Sequence, residues 1–280
     1  MIILRPRRVD RRNHNTPILS NREIDEFAYN VLQDYKPELL REPGQINFQH
    51  FIESYLRMGL EYKDLYSEDP ERPILAMTVF DGGSVDVFDK ETECVKPIVV
   101  PARTVILDNV LLEDKWDSLA LFSGLHEGGH ILMHWPVFSK TRLDDDYSDD
   151  FDDCADDGDF ITEDDVSPIV CCRRKDIENF GAKSNKKERT TEEWREHHAD
   201  YFAAAFSMPN STFIPFVRNM LRENGVYKGS ITLGRDDDLD ILADDIIPVA
   251  INEVYGVSKR AAKIKLKTSG LVLPNRSIRR

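Results

Sequence analysis

The segment WDSLALFSGLHEGGHILMHWP, residues 116–136, constrains the fold more than any other part of the chain. It contains no proline before Pro136, and two histidines within it, His126 and His130, lie four residues apart. Residues i and i+4 share one face of an α-helix, so both imidazoles can bind a single metal ion. The segment therefore predicts a largely apolar helix that carries part of a metal site.

Two consecutive glycines separate the histidines and raise the question whether this segment is a helix at all. Each glycine costs a helix about 1 kcal/mol relative to alanine. Helical spacing places Gly128 and Gly129 along the stripe of Leu121, Leu125 and Leu132, on a different face from the histidines. A neighbouring helix or strand can approach a glycine backbone closely. We therefore interpret the glycines as an inward packing surface of a helix and not as a loop.

Glu127 completes the pattern HExxH. It lies about 100° further round the helix than His126. A glutamate in that position reaches a metal-bound water without being a ligand itself. The pattern thus predicts Glu127 as the general base of a hydrolase.

A second helix is predicted from TTEEWREHHADYFAAAFSMP, residues 190–209. Thr190 and Glu193 fit a capping box at its start. Met208, followed by Pro209, fits its end.

The third metal ligand is expected on this second helix. The apolar stripe of Ala199, Ala203 and Phe206 extends backwards to Glu196, which places a carboxylate on the buried face. A metal would offset the cost of burying that charge. His197 and His198 compete with Glu196 for the role. Asp200, one turn on, is placed to accept a hydrogen bond from a ligating histidine and so to fix its tautomer.

The rest of the chain predicts a mixture of helices and strands. Amphipathic helices are expected from Asn21 and over residues 46–58, and strands over 73–80, 84–88 and 98–109, the first two as a hairpin through the turn DGG. A helical region over 236–256 is expected to divide at Pro248, and a last helix to run from Ser258 to about Gly270. The fold class is α+β with a small, mainly antiparallel sheet.

Most of the net charge comes from one insert, residues 139–189. Thirteen acidic residues and no basic one lie between Asp144 and Asp165, and removing them from the total charge of −14 leaves −1. We expect most of the insert to be a loop or disordered spacer. Alanine at the third position of DCADDGDFITED argues against an EF-hand calcium loop. Cys171 and Cys172 of SPIVCC are interpreted as buried residues of a strand.

The motifs LHEGGHILMH and EHHADYFAAAFSMP resemble those of the ImmA/IrrE family of metallopeptidases over residues 21–270, the insert excepted. The resemblance implies a zincin-like fold in which His126, His130 and Glu196 bind zinc, Glu127 is the catalytic base and Asp200 supports the ligands. It further implies a domain over residues 21–222, after a basic arm at 1–20 and before a helical carboxy-terminal region at 223–280. The long insert, Phe206-Ser207 before Met-Pro, and the lack of a preceding helix-turn-helix domain depart from the family pattern.

The expected activity is zinc-dependent cleavage of one specific intracellular protein. The resemblance implies a helix-turn-helix repressor of a mobile element or stress response as the substrate. The alternative is a non-enzymatic zinc-binding regulator that contacts DNA or a repressor, and a third hypothesis has the acidic segment mimic DNA. Four cysteines without CxxC spacing, and no signal peptide or membrane span, predict a cytoplasmic protein.

Two further features have competing interpretations. Gly256 and Ser258 fit the turn of a helix-turn-helix with a basic second helix, but we favour a helix pair packed on the core with a solvated lysine face, so nucleic acid is not the favoured partner. His134, one turn after His130, is interpreted as a surface or packing histidine and not as a fourth ligand.

Overall fold

The computed structural model describes residues 1–139, 169–173 and 190–275. Its fold is mixed, with α-helices and small β-sheets. The helices in chain order are α1 (Asn21–Tyr35), α2 (Phe48–His50), α3 (Asp117–Phe138), α4 (Thr191–Ser207), α5 (Asn210–Glu223), α6 (Asp237–Ile241), α7 (Ile247–Tyr255) and α8 (Lys259–Thr268). Two π-helical turns, Phe51–Tyr55 and Leu242–Ile246, follow α2 and α6.

Within the described residues, the strands form one sheet of four strands and three sheets of two. The strands are β1 (Val9–Asp10), β2 (Thr16–Pro17), β3 (Gly59–Lys63), β4 (Ile74–Val79), β5 (Gly83–Asp89), β6 (Cys94–Val100), β7 (Thr104–Asp108), β8 (Ile169–Arg173), β9 (Ile231–Thr232) and β10 (Val272–Leu273). The larger sheet has the order β3-β7-β4-β8, in which β3 and β7 are parallel and the other two pairs antiparallel. The expected small, mainly antiparallel sheet is therefore present.

The predicted hairpin between residues 73–80 and 84–88 is wrong. Both segments are strands, but β4 pairs with β7 and β8, whereas β5 pairs with β6. All six residues of β4 are buried, while the burial of β5 alternates. The chain turns at Gly82, whose φ is +84°, and there passes from one sheet to the other. Apolar content alone does not reveal which of several strands is the partner, since pairing is decided by distant residues.

The amino-terminal helices differ in detail from the prediction. Helix α1 begins at Asn21 as expected, and Ser20 caps it by forming a capping box with Glu23. The second predicted helix is only one α-turn continued by the π-turn Phe51–Tyr55. Its apolar residues nevertheless enter the core, where Phe51 and Ile52 are fully buried.

The carboxy-terminal helices follow the predicted boundaries. The helical region divides before Pro248, which occupies the first turn of α7. Gly256 ends α7 in a left-handed conformation, and Ser258 caps α8. The expected lysine face is not fully solvated, because Lys265 of α8 is buried. Within the described residues, every helix is too short or too polar to cross a membrane.

Candidate metal centre

Helix α3 lies in the middle of the molecule and continues unbroken through the glycine pair. Sixteen of its 22 residues are buried, including both glycines, and it extends past Pro136 to Phe138. A Cβ atom built on Gly128 would lie 2.7 Å from Phe51 Cε1, and one on Gly129 would lie 3.1 Å from Ala199 Cα. The glycines therefore allow the π-turn and helix α4 to approach the backbone, as the packing interpretation predicts.

Helix α4 begins and ends where its sequence predicts. The Thr190 hydroxyl accepts a hydrogen bond from the Glu193 amide, and the Glu193 carboxylate accepts one from the Thr190 amide. Met208 ends the helix. Ala199, Ala203 and Phe206 are fully buried, so the expected stripe faces the interior.

The two helices bring three ligand atoms together at one point. The Nε2 atoms of His126 and His130 lie 3.0 Å apart. Glu196 Oε2 is 3.2 Å from His126 Nε2, and Glu196 Oε1 is 3.3 Å from His130 Nε2. Both histidines are buried, and the Glu196 side chain is 23% exposed.

This spacing suits a small tetrahedral cation. Ligands bound at about 2.0–2.1 Å in tetrahedral geometry are separated by about 3.3–3.4 Å, close to the three observed distances. Two imidazoles and one carboxylate match the donors of catalytic zinc sites, which leave a fourth position for water. Glu196 Oε2 is buried and makes no hydrogen bond of proper geometry to any described residue. The donor set and this unsatisfied oxygen therefore fit a divalent metal.

Asp200 lies behind the cluster, where the sequence places it. Its Oδ1 accepts a hydrogen bond of 2.9 Å from His126 Nδ1. In the neutral imidazole this bond keeps the proton on Nδ1, so that Nε2, which faces the cluster, is the nitrogen that can bind a metal. The carboxylate is buried at 6% exposure, which protects the bond from competition by water.

Glu127 is adjacent to the cluster but is held differently from the ligands. Its Oε2 accepts a hydrogen bond of 2.5 Å from Thr78 Oγ1 of strand β4, and its Oε1 is buried without a hydrogen bond to any described residue. Burial raises the pKa of Glu127 to about 7, although nearby His126 opposes the increase. One oxygen of a buried carboxylate is thus available to receive a proton.

The charges of the cluster act on one another. Burial opposes protonation of His126, but the Asp200 and Glu196 carboxylates outweigh burial and raise its pKa well above the ordinary value. Burial also disfavours ionisation of Glu196, yet His130 and His126 outweigh it, and the Glu196 pKa is lowered. The site is therefore built to keep the Glu196 carboxylate ionised, as a metal ligand must be.

The other candidate ligands of α4 face elsewhere. His197 Nε2 lies 3.3 Å from Asn21 Oδ1. His198 Nδ1 lies 3.4 Å from His134 Nε2. Of the three candidates for a third ligand, the structure places Glu196 in the cluster with His126 and His130.

His134 is not a surface residue. Its side chain is fully buried, and its Nδ1 lies 3.1 Å from Nδ1 of His130. The described residues whose ligand atoms converge on one point with His130 are His126 and Glu196. The signal in the sequence was the continuation of the four-residue histidine spacing from 126 and 130 to 134.

Two residues of the sheet reach the site without a sequence signal. Thr78 belongs to β4, and Cys172 belongs to β8, within the predicted strand SPIVCC. Cys172 is buried, whereas Cys171 is only half-buried. The Cys172 thiol and donor atoms of His126 and Glu127 all lie within 4.8 Å of one another. The edge strand β8 thus forms part of the wall of the site.

The acidic segment Asp144–Asp165 and the sequence considered as a calcium loop lie outside the described residues.

Comparison of the chain with protein-family models, with curated proteins and with solved structures gives no match. The residues of the site themselves therefore carry the functional argument.

Proposed function

We propose that this protein is a zinc-dependent endopeptidase. His126, His130 and Glu196 hold the metal, and Glu127 is the general base. The observation that carries the proposal is the convergence of three ligand atoms within 3.0–3.3 Å, next to a glutamate with one unpartnered oxygen. A site that only stores or senses zinc has no need of that glutamate. Its presence favours hydrolysis over a non-enzymatic regulator.

Each side chain of the site has a separate role in the proposed hydrolysis. A bound zinc ion supplies Lewis-acid chemistry, which activates a water molecule and polarises the scissile carbonyl group. Glu127 Oε1 accepts a proton from the attacking water and returns it to the leaving amine. Thr78 occupies Oε2, so the proton acceptor is Oε1. Asp200 keeps His126 in the tautomer that binds metal.

The substrate belongs to the proposal and follows from the resemblance to the ImmA/IrrE metallopeptidases. We expect one specific intracellular protein, a helix-turn-helix repressor, cut in its linker or carboxy-terminal helix.

Metal content tests the ligand assignment. The purified protein should bind about one zinc ion per chain, and Glu196→Ala should lose most of it because a ligand is removed. Glu192→Gln is the matched control, since Glu192 lies on the same helix and is exposed. A wild-type protein that binds no zinc, or Glu196→Ala with unchanged affinity, would contradict the proposed site.

Cleavage tests the enzymatic assignment. Wild-type protein with zinc is incubated with helix-turn-helix repressors encoded near its gene, and fragments are identified by mass spectrometry. Glu127→Gln should retain zinc and produce no fragments, because the amide cannot accept the proton. Equal cleavage by Glu127→Gln would refute the mechanism. Zinc-dependent binding of a repressor or DNA, without cleavage by either protein, would favour the regulator.

A further inference from the structure

Three buried imidazoles form a chain that leads from the proposed metal site into helix α4. His130 Nδ1 lies 3.1 Å from His134 Nδ1, and His134 Nε2 lies 3.4 Å from His198 Nδ1. All three residues are at most 1% exposed. Neither His134 nor His198 has a role in the hydrolysis proposed above.

The row of His130, His134 and His198 has only one arrangement of ring protons that leaves His130 able to bind the metal. His130 must present an unprotonated Nε2 to the metal, so its proton is on Nδ1. That Nδ1–H donates to Nδ1 of His134, which must then carry its own proton on Nε2. The Nε2–H of His134 in turn donates to Nδ1 of His198. Each imidazole thus sets the tautomer of the previous one.

We infer that His134 is a positioning residue for the metal ligand His130, supported in turn by His198. The inference rests on the proposed metal site. His126 is oriented by the carboxylate of Asp200 at 2.9 Å, and His134 takes the equivalent place behind His130. The two histidine ligands are therefore held by different chemistry, a charged acceptor behind one and a neutral imidazole behind the other.

The same chain links the two ligand-bearing helices. His126 bonds to Asp200 near one end of the contact between α3 and α4, and His134 meets His198 two turns further along α3. Between these links Gly129 lies against Ala199. The rings of His134 and His198 lie edge to edge and are nearly coplanar, with centroids 5.6 Å apart and an interplanar angle of 28°, as a hydrogen bond between ring nitrogens requires. These contacts hold His130 and Glu196 at a fixed separation.

Metal affinity measured by chelator competition tests this role. His134→Phe preserves a buried ring but removes both hydrogen bonds, and zinc affinity should fall about 10–100-fold. His134→Asn keeps an acceptor near the position of Nδ1 and should recover most of that loss. His198→Phe should have a smaller effect than His134→Phe, because it removes only the outer link. His197→Phe is the control, because His197 is not part of the row of three histidines, and this variant should bind zinc like wild type.

A second measurement uses only the wild-type protein and therefore needs no folded variant. Long-range 1H–15N correlation spectra of the zinc-loaded wild-type protein should show His134 protonated on Nε2 and unprotonated on Nδ1. The opposite tautomer would overturn the inference. So would unchanged zinc affinity in a folded His134→Phe protein, or equal losses in His134→Phe and His134→Asn. If wild-type protein binds no zinc, the proposed function fails, whereas normal zinc binding with an insensitive His134 refutes only the positioning role.

Discussion

Replacing Gly129 by alanine should destabilise the protein, although helix propensity alone predicts the opposite. Alanine in a helix is favoured over glycine by about 1 kcal/mol. At this position, however, the new Cβ would lie 3.1 Å from Ala199 Cα, 3.2 Å from Phe202 Cδ1 and 3.4 Å from the Ala199 carbonyl oxygen. Two of these three atoms are backbone atoms of α4, so a rotamer change cannot relieve the contact.

The balance of these two terms gives the expected magnitude. Inserting a methyl group into a packed core costs about 1–3 kcal/mol. After the propensity gain, we expect the free energy of unfolding to fall by about 0–2 kcal/mol. To restore ordinary contact, α4 must move away by a few tenths of an ångström, and Glu196, one turn before Ala199, must move with it. This shift uses up much of the roughly 0.5 Å within which the groups of a binding site must be held, so zinc affinity should also fall.

Gly128→Ala is the matched control for the metal effect. Its Cβ would lie 2.7 Å from Phe51 Cε1, and the other nearest atoms are also side-chain atoms, of Phe51 and Leu56. The Phe51 ring packs against the Phe206 side chain of α4, but the new Cβ does not press on the α4 backbone that carries Glu196. Both variants should lower stability in urea unfolding of the metal-free protein, but only Gly129→Ala should weaken zinc binding in chelator competition. A Gly129→Ala protein that is more stable by about 1 kcal/mol, with unchanged zinc affinity, would refute the close-packing argument.

Substitutions at three further positions test the roles of individual side chains. Asp200→Ala should weaken zinc binding about 10–100-fold, because the His126 ring loses the hydrogen bond that orients it. The zinc affinity of Asp200→Asn should lie between those of the wild type and Asp200→Ala, and equal affinities of the three proteins would contradict this role. Thr78→Val should reduce the kcat of the proposed cleavage about tenfold without changing zinc content, because Glu127 Oε2 loses its donor; an unchanged kcat argues against the role. Lys265 is buried, with its Nζ 5.9 Å from the Phe213 ring centroid, and burial lowers its pKa. At pH 7 the buried charge therefore destabilises the folded state, and Lys265→Met should raise the free energy of unfolding by about 1 kcal/mol. The gain should shrink as the pH rises towards 10.5, where the lysine of the wild-type protein loses its charge, and a gain that does not depend on pH would contradict this explanation.

Local sequence rules predict the elements that bear the site. The capping box of Thr190 and Glu193, the stop at Met208 and the four-residue spacing of His126 and His130 all act within one or two turns of a helix. The apolar stripe that leads back to Glu196 is also local. These features are readable because hydrogen bonds and side-chain neighbours within a helix join residues three or four apart.

Contacts between distant residues had to come from the tertiary structure. Strand β4 has the composition of a hairpin partner for β5, but it lies between β7 and β8 and carries Thr78 to Glu127. The partners of β4 depend on which distant strands lie beside it in the folded chain, and the composition of β4 alone does not predict them.

The sequence by itself determined which residues can bind a metal and on which helices they lie, because those properties depend on residue type and helical period. Only the tertiary structure decided that Glu196, sixty-six residues after His130, is the member of its helix that meets both histidines. It also decided that His134 is a buried residue in contact with His130, one of the two positions, surface or packing, that the sequence left open. Both outcomes depend on how closely α3 and α4 pack, and that separation is set by Gly129 against Ala199.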